Sequence, residues 1–400
     1  MSGLAERASS PAASDRNPNN GMPRIAFITT VYDRSNVGGA TFVDQLRREV
    51  EAGSIDLTFF SDDISAESAT YERKVVIPRL LRRLPGGFVV RGFYLRRAVL
   101  RDHNHRPFDV IWHNNVLTSF TVGRRRSAVP VVGMINDYSN AQAVSPLALR
   151  RMLGWYRAMI RYFWRIIERR SALQRGMVVV NSNFLRRELS NRYDIPGHKL
   201  HVLYKAVALT DAPRVASSLH ADPLRVLFAK RDYVTGGLED LFRAAAKLSC
   251  KVRISVAGPE PVHFDRIRSL AASAGYTGEL CLLGSLDHHR MLEQFAANDL
   301  LCIPSRSEAL GIAFMEALAA GLPAIGTNVG GIPEVLDDGR AGWLAAPYDV
   351  DDIARQIRAV CEDAALRERK RRHGLDHVQR FSTDAMVVRF NELANVAMRR

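Results

Sequence analysis

From Met22 onward, short apolar runs alternate with longer stretches whose apolar positions recur at helical spacing. The run 24–30 (RIAFITT) predicts a first strand. A loop carrying Gly38-Gly39 follows, and then a helix over 41–51. Further strands are predicted at 55–60, 110–112, 129–135, 177–180 and 200–204. Such alternation implies parallel strands with helices on both faces. The period breaks at 209–223 (LTDAPRVASSLHADP), which has the small, polar, Pro-containing character of a linker. A second series then begins, with strands predicted at 225–229, 252–257, 280–283, 300–303 and 323–326. Charged helices are expected over 350–361, 365–377 and 382–397.

The expected fold is therefore α/β, with two Rossmann-like, doubly wound parallel-sheet domains facing each other across a cleft. The first spans 22–208 and the second 224–380. Residues 381–400 form a C-terminal helix expected to cross back to the first domain. Open parallel sheets bind ligands at the carboxyl ends of their strands, so a ligand between the domains would touch both sets of loops.

Composition changes this picture little. At 400 residues, 47% hydrophobic and 24% charged, the chain is long enough for two domains with cores that need no disulfide. Cys250, Cys281, Cys302 and Cys361 are scattered, with no C-x-x-C pair, and are expected to be buried thiols in a reducing cytosol. Residues 1–21 are small, polar and turn-forming, the mark of a disordered tail rather than a secretory signal. No 18-residue stretch is apolar and uncharged enough to span a bilayer. The expected location is the cytoplasm.

One segment carries chemistry. Ser305-Arg-Ser-Glu308-Ala-Leu-Gly311-Ile-Ala-Phe-Met-Glu316-Ala-Leu-Ala-Ala-Gly321-Leu-Pro323 follows an apolar strand, and its glycine opens a helix. Free N–H groups and the positive dipole end favour an anion against Gly311, Ile312 and Ala313. Glu308 lies before the helix and Glu316 about one and a half turns inside it. Two carboxylates bracketing an anion site suit a sugar–diphosphate–ribose ligand, with hydroxyls at each end and phosphate between.

This segment resembles the retaining glycosyltransferases of family 4, which have the GT-B fold. So do Val329-Gly330-Gly331-Ile332-Pro333-Glu334 and Gly342-Trp343-Leu344 after it, and the similarity covers nearly all the chain. Gly38-Gly39 resembles the family's N-terminal glycine loop, and Val178-Val-Val-Asn181-Ser182-Asn183-Phe184 the strand and helix start near the end of its first domain. The resemblance implies that Glu308 holds the donor sugar, Glu316 the ribose, and Gly38-Gly39 the approach to the phosphates. Gly330-Gly331 is expected to shape a turn rather than touch substrate.

Two departures from the family pattern matter. The family's phosphate-binding Arg and Lys fall in Phe228-Ala-Lys230-Arg231-Asp-Tyr-Val-Thr235-Gly236-Gly237. Arg231 matches the Arg, but Thr235 or Gly236 stands where the Lys belongs. Lys230 is the expected substitute, with Lys205 a second candidate. In the first domain the usual His-Asp is Asn136-Asp137. Asn binds a hydroxyl but carries no proton near neutral pH. That loss is tolerable if the donor phosphate itself takes the acceptor proton, as in a same-face substitution. Asn136, Asp137 and His113 are the acceptor-side candidates.

The formal charge is +14, concentrated in 73–101 and 147–170, where Arg and Lys interleave with aromatic residues. Both stretches belong to the first domain and suit an anionic membrane surface, which favours a peripheral place on the membrane's inner face. No nucleic-acid-binding module accompanies the charge, so no nucleic-acid partner is expected.

The expected activity is retaining, metal-independent hexosyl transfer from a nucleoside diphosphate sugar to a saccharide or lipid-linked acceptor, in surface polysaccharide or glycoconjugate biosynthesis. No cofactor or metal is expected. Two alternatives stay open: a catalytically silent GT-B protein binding a partner or membrane glycolipid, and a phosphorylase or epimerase on the same fold.

Overall fold

The computed structural model describes residues 22–30, 32, 38–66, 69–78, 87–120, 129–137, 152–209 and 222–399. The expected tail 1–21, most of the linker, and parts of the two basic stretches (79–86 and 147–151) lie outside the described residues.

The first sheet holds β1 (Arg24–Ile28), β2 (Asp56–Ser61), β3 (Glu72–Lys74), β4 (Val110–His113), β5 (Val131–Ile135), β6 (Met177–Val180) and β7 (Leu200–Val202). Its order is β3-β2-β1-β4-β5-β6-β7, parallel throughout. The second holds β8 (Leu224–Ala229), β9 (Val252–Ala257), β10 (Glu279–Gly284), β11 (Leu300–Cys302), β12 (Ala324–Thr327) and β13 (Trp343–Ala345). Its order is β10-β9-β8-β11-β12-β13, again parallel. The two-domain α/β expectation is met. The chain reverses direction of build between β1 and β4 in one sheet and between β8 and β11 in the other, the positions where such sheets open a crevice.

Sequence periodicity passes over β3 and β13. Each has three residues and lies at a sheet edge, too short for an alternating pattern to register.

Because alternate side chains leave opposite faces of a strand, each buried strand feeds two cores. Ile25 and Phe27 join Phe59 and Trp112 on one face, while Ala26 and Ile28 join Phe60 and Ile111 on the other. The first of these faces is covered by the helix Gly38–Glu51, through Phe42, Val43 and Leu46, and by the last helix of the chain, Thr383–Met398. Phe390 of that helix stacks on Trp112 with ring centroids 4.4 Å apart. Residues at the C-terminus therefore complete the core of the first domain. The Val207 amide donates to the Phe381 carbonyl at 2.9 Å where the chain recrosses.

Replacing Phe390 removes a fully buried ring from that shared core. Phe390→Ala is expected to cost about 3–5 kcal/mol. The loss should appear in urea as an earlier unfolding of the first domain, followed by tryptophan fluorescence through Trp112.

Candidate functional site

The carboxyl ends of the two sheets converge on a cavity of about 270 Å³. The first domain lines it with Asn136 and Asp137 after β5, Asn181 after β6, and Lys205 beyond β7; the second lines it with residues 307–312. Glu308, Gly311 and Ile312 are thus brought together with Asn136 and Asp137.

On the second-domain side, Gly311 caps the helix Ile312–Ala320 with φ 98° and ψ 61°. That left-handed conformation favours glycine, and it turns the chain so that the first helical N–H groups face the loop. The loop is seated from below by Gly330. A Cβ there would fall 1.7 Å from the Glu308 carbonyl oxygen, so only glycine lets the two segments pass. The Gly331 amide then donates to the same carbonyl at 3.2 Å.

The Glu308 carboxylate is paired. Lys230 Nζ donates to its Oε2 at 2.8 Å, to the Ser307 carbonyl at 3.1 Å and to Ser305 Oγ at 3.2 Å. Lys205, from the first domain, is buried beside it. Burial pulls the Lys205 ammonium down to about 8, against the opposing pull of the Asp137 and Glu308 carboxylates. Two ammonium groups from different domains therefore share one carboxylate neighbourhood. Thr235, where the family lysine is expected, spends its hydroxyl on Asp232.

The first-domain rim is held by a chain of side-chain amides. Asn114 Nδ2 donates to Thr29 Oγ1 at 3.2 Å, Asn136 Nδ2 to the Asn114 carbonyl at 2.9 Å, and Asn181 Nδ2 to the Asn136 carbonyl at 2.8 Å. Each residue stands at the end of a strand and reaches back to the previous one in spatial order, so β1, β4, β5 and β6 are tied at their carboxyl ends. The Oδ1 atoms of Asn136 and Asn181 are buried without a protein donor among the described residues. Asn114 and the anchoring role of Asn181 escape a reading of sequence, whose one signal for them is an Asn directly after an apolar strand.

Other candidates stand elsewhere. Arg231 follows β8, is mostly exposed and pairs with Glu260. Gly38 and Gly39 begin the helix Gly38–Glu51, and residues 33–37 before it lie outside the described set. His113 does not line the cavity. Its ring is buried, with Nδ1 2.9 Å from Thr118 Oγ1. Burial, with Arg175 and Arg96 nearby, lowers it to about 3, so it stays neutral and serves packing on the turn Val116–Ser119. Ala313 lies in the first turn of the helix after Gly311, and Glu316 farther along it. Burial pushes the half-buried Glu316 carboxyl up to about 7, and no protein partner holds it among the described residues.

The two rims are locked at a seam beside the cavity. Glu334, in the short helix Ile332–Val335, accepts from the Asn183 amide at 2.9 Å, the Phe184 amide at 3.3 Å and Asn183 Nδ2 at 2.6 Å, and also from the Tyr204 hydroxyl. It thereby caps the start of the first-domain helix Asn183–Tyr193 from the second domain. Ser182 Oγ donates across the same seam to the Ala309 carbonyl at 2.7 Å while accepting the Leu185 amide at 3.0 Å.

Two facing parallel sheets with a helix start and the Lys230–Glu308 pair at their junction have the GT-B architecture. The profile of the glycosyl transferases group 1 matches residues 211–376, and that of glycosyltransferase family 4 matches residues 37–211. The chain belongs to this family and is a nucleotide-sugar glycosyltransferase. A D-inositol 3-phosphate glycosyltransferase of a Nocardioides species is 27% identical, over 75% of this chain and 69% of its own. Sucrose-phosphate synthase from Thermosynechococcus elongatus superposes with a TM-score of 0.74 at 20% identity, covering 93% of this chain and 98% of that one. HepE of Anabaena, solved with UDP-glucose, gives 0.67 at 16% identity, covering 94% and 100%. At these identities the solved structures show a shared fold.

The Glu316 carboxyl generates a pH-dependent prediction. Its folded value, about 7, lies above the ordinary 4.5, so the folded state holds the proton more tightly and stability falls as pH rises from about 4.5 to 7. Glu316→Gln escapes this loss. The variant should match wild type near pH 5 and exceed it by about 2 kcal/mol at pH 8 in urea titrations. An equal margin at both pH values would contradict it.

Proposed function

We propose that the chain transfers a hexose from a nucleoside diphosphate donor, with retention, to a hydroxyl of a saccharide or lipid-linked acceptor in surface glycoconjugate assembly. The observation that carries this reading is the Lys230–Glu308 pair at the mouth of the helix that starts after Gly311. A donor diphosphate takes the cation and the helix start, while its sugar hydroxyls take the released carboxylate. Lys230 then does the work of the family lysine that Thr235 or Gly236 replaces, Arg231 serves as the matching arginine, and no divalent ion is invoked for the diphosphate. Glu316, half-buried and without a protein partner among the described residues, suits the ribose hydroxyls. The glycine start at Gly38-Gly39 approaches the phosphates from the first domain.

In the reaction the bond from the anomeric carbon to the diphosphate oxygen breaks and a bond to the acceptor oxygen forms on the same face. The acceptor proton passes to the departing phosphate oxygen. Asn136 and Asp137 orient the acceptor, and neither needs to move a proton. Lys230, Arg231 and the helix dipole stabilise the charge that develops on the leaving diphosphate.

Surface features support a lipid-linked acceptor. On the helix Met152–Leu173, Ile167, Glu168, Ser171 and Ala172 face inward, whereas Met159, Tyr162, Phe163 and Ile166 are exposed. Phe93 and Leu100 are exposed on the helix Gly87–His105, and both helices pack on the turn Val116–Ser119. Exposed aromatics among arginines are the composition of an interfacial helix on anionic lipid. No helix among the described residues is long and apolar enough to cross a membrane.

Nucleotide binding is read by thermal shift with UDP, GDP, ADP and CMP in EDTA. One nucleotide should stabilise wild type, and Glu316→Ala should abolish that gain. Glu308→Ala should bind the nucleotide yet lose transfer, and Lys230→Ala should lose about a hundredfold in turnover. Full activity of Glu308→Ala would refute the assignment. For the membrane reading, the protein should sediment with vesicles rich in anionic lipid at physiological salt, and Phe163→Ser with Tyr162→Ser should release it. Indifference of wild type to those vesicles would sink that part alone.

A further inference from the structure

Behind the seam, the helix Ala364–His377 carries His373 and His377 four residues apart, so both imidazoles leave it on one face. Their rings stack, with centroids 6.1 Å and planes 18° apart. Facing them is Asp337, in the turn that follows the short helix Ile332–Val335. Its Oδ2 lies 2.6 Å from His373 Nε2 and 3.8 Å from His377 Nδ1. Among the described residues these three donors form a compact set, with one atom from each all within 4.8 Å of one another. Zinc bonds to His nitrogen and carboxylate oxygen of about 2.0–2.2 Å place tetrahedral donors about 3.3 Å apart. The two separations bracket that value, so small side-chain rotations admit an ion.

The surroundings fit a ligand set better than a plain ion pair. His377 Nε2 lies 3.4 Å from the Glu334 carbonyl, the outer contact that orients a metal-binding imidazole and leaves Nδ1 to face Asp337. Arg340 Nη2 holds the other carboxylate oxygen of Asp337 at 2.8 Å, which fixes how Oδ2 points. His377 and Asp337 are mostly buried, while His373 is 39% exposed and leaves an approach from solvent. Two imidazoles and one carboxylate, with no thiol, suit a borderline first-row divalent ion rather than calcium or magnesium. Sequence spacing alone passes over the trio, because Asp337 stands 36 residues from His373.

We propose that Asp337, His373 and His377 bind a divalent transition metal, zinc by preference, which clamps the helix Ala364–His377 to the turn after Glu334. The ion is structural and lies apart from the donor cavity. Its effect reaches the seam because His377 touches the carbonyl of the same Glu334 whose carboxylate caps the helix Asn183–Tyr193. The inference stands whatever the sugar donor proves to be.

The test uses the full chain without a histidine tag, stripped with EDTA and titrated with Zn²⁺ against a chromogenic chelator. One tight equivalent is expected, with a melting temperature several degrees above that of the stripped protein. Co²⁺ in its place should give the intense d–d absorption of a four-coordinate site. His373→Ala, at a partly exposed position, should keep the stripped protein's melting temperature and weaken zinc binding at least tenfold. Asp337→Asn should weaken it similarly. Absence of a tight equivalent in wild type overturns the proposal. So does tight binding that survives both substitutions, which would place the ion on other residues, such as the exposed Cys250.

Discussion

The carboxylate of Glu334 governs how the two domains meet. It sits in the second domain and accepts the first amides of a first-domain helix, Asn183–Tyr193. Helix starts carry unpaired N–H groups and partial positive charge, so a carboxylate placed there satisfies donors and field together. The Tyr204 hydroxyl and the Asn183 side chain converge on the same group. Burial and the Glu334 hydrogen bond raise the Tyr204 phenol well above its ordinary range, so it remains a donor at any physiological pH. Ser182 adds a parallel link to Ala309, one residue after Glu308. The loop that presents Glu308 is thus tied to the strand ends that present Asn136 and Asn181.

Charge at the cavity follows the same economy. Lys230 and Lys205 come from separate domains, yet both act on Glu308. The buried Lys205 ammonium would be costly without the Asp137 and Glu308 carboxylates nearby, while Glu308 has its own countercharge in Lys230. Bringing the domains together therefore completes an electrostatic set that neither domain holds alone.

Much of this was legible along the chain. The β–α alternation and the helix start at Gly311 follow from local rules, since strand and helix periods and a glycine at a left-handed position are properties of neighbours in sequence. The segment 305–323 placed Glu308 and Gly311 at the cleft for the same reason. Three-residue edge strands such as β3 and β13 carried too little pattern to be seen. Exposure of Met159 and Phe163 was equally hidden, because an apolar stripe looks the same whether it faces a sheet or solvent.

The sequence by itself determined the two parallel sheets and the loop bearing Glu308, because hydrophobic period and turn chemistry act over a few residues. Tertiary structure alone decided that Lys230 pairs with Glu308, that Lys205 joins them, and that His113 turns away to Thr118. It also decided that Phe390 completes the first core and that Asp337 meets His373 and His377. Each of those depends on how segments far apart in sequence stack, and on which side chains lose water when they do. Burial and partner geometry have no signature in residue spacing.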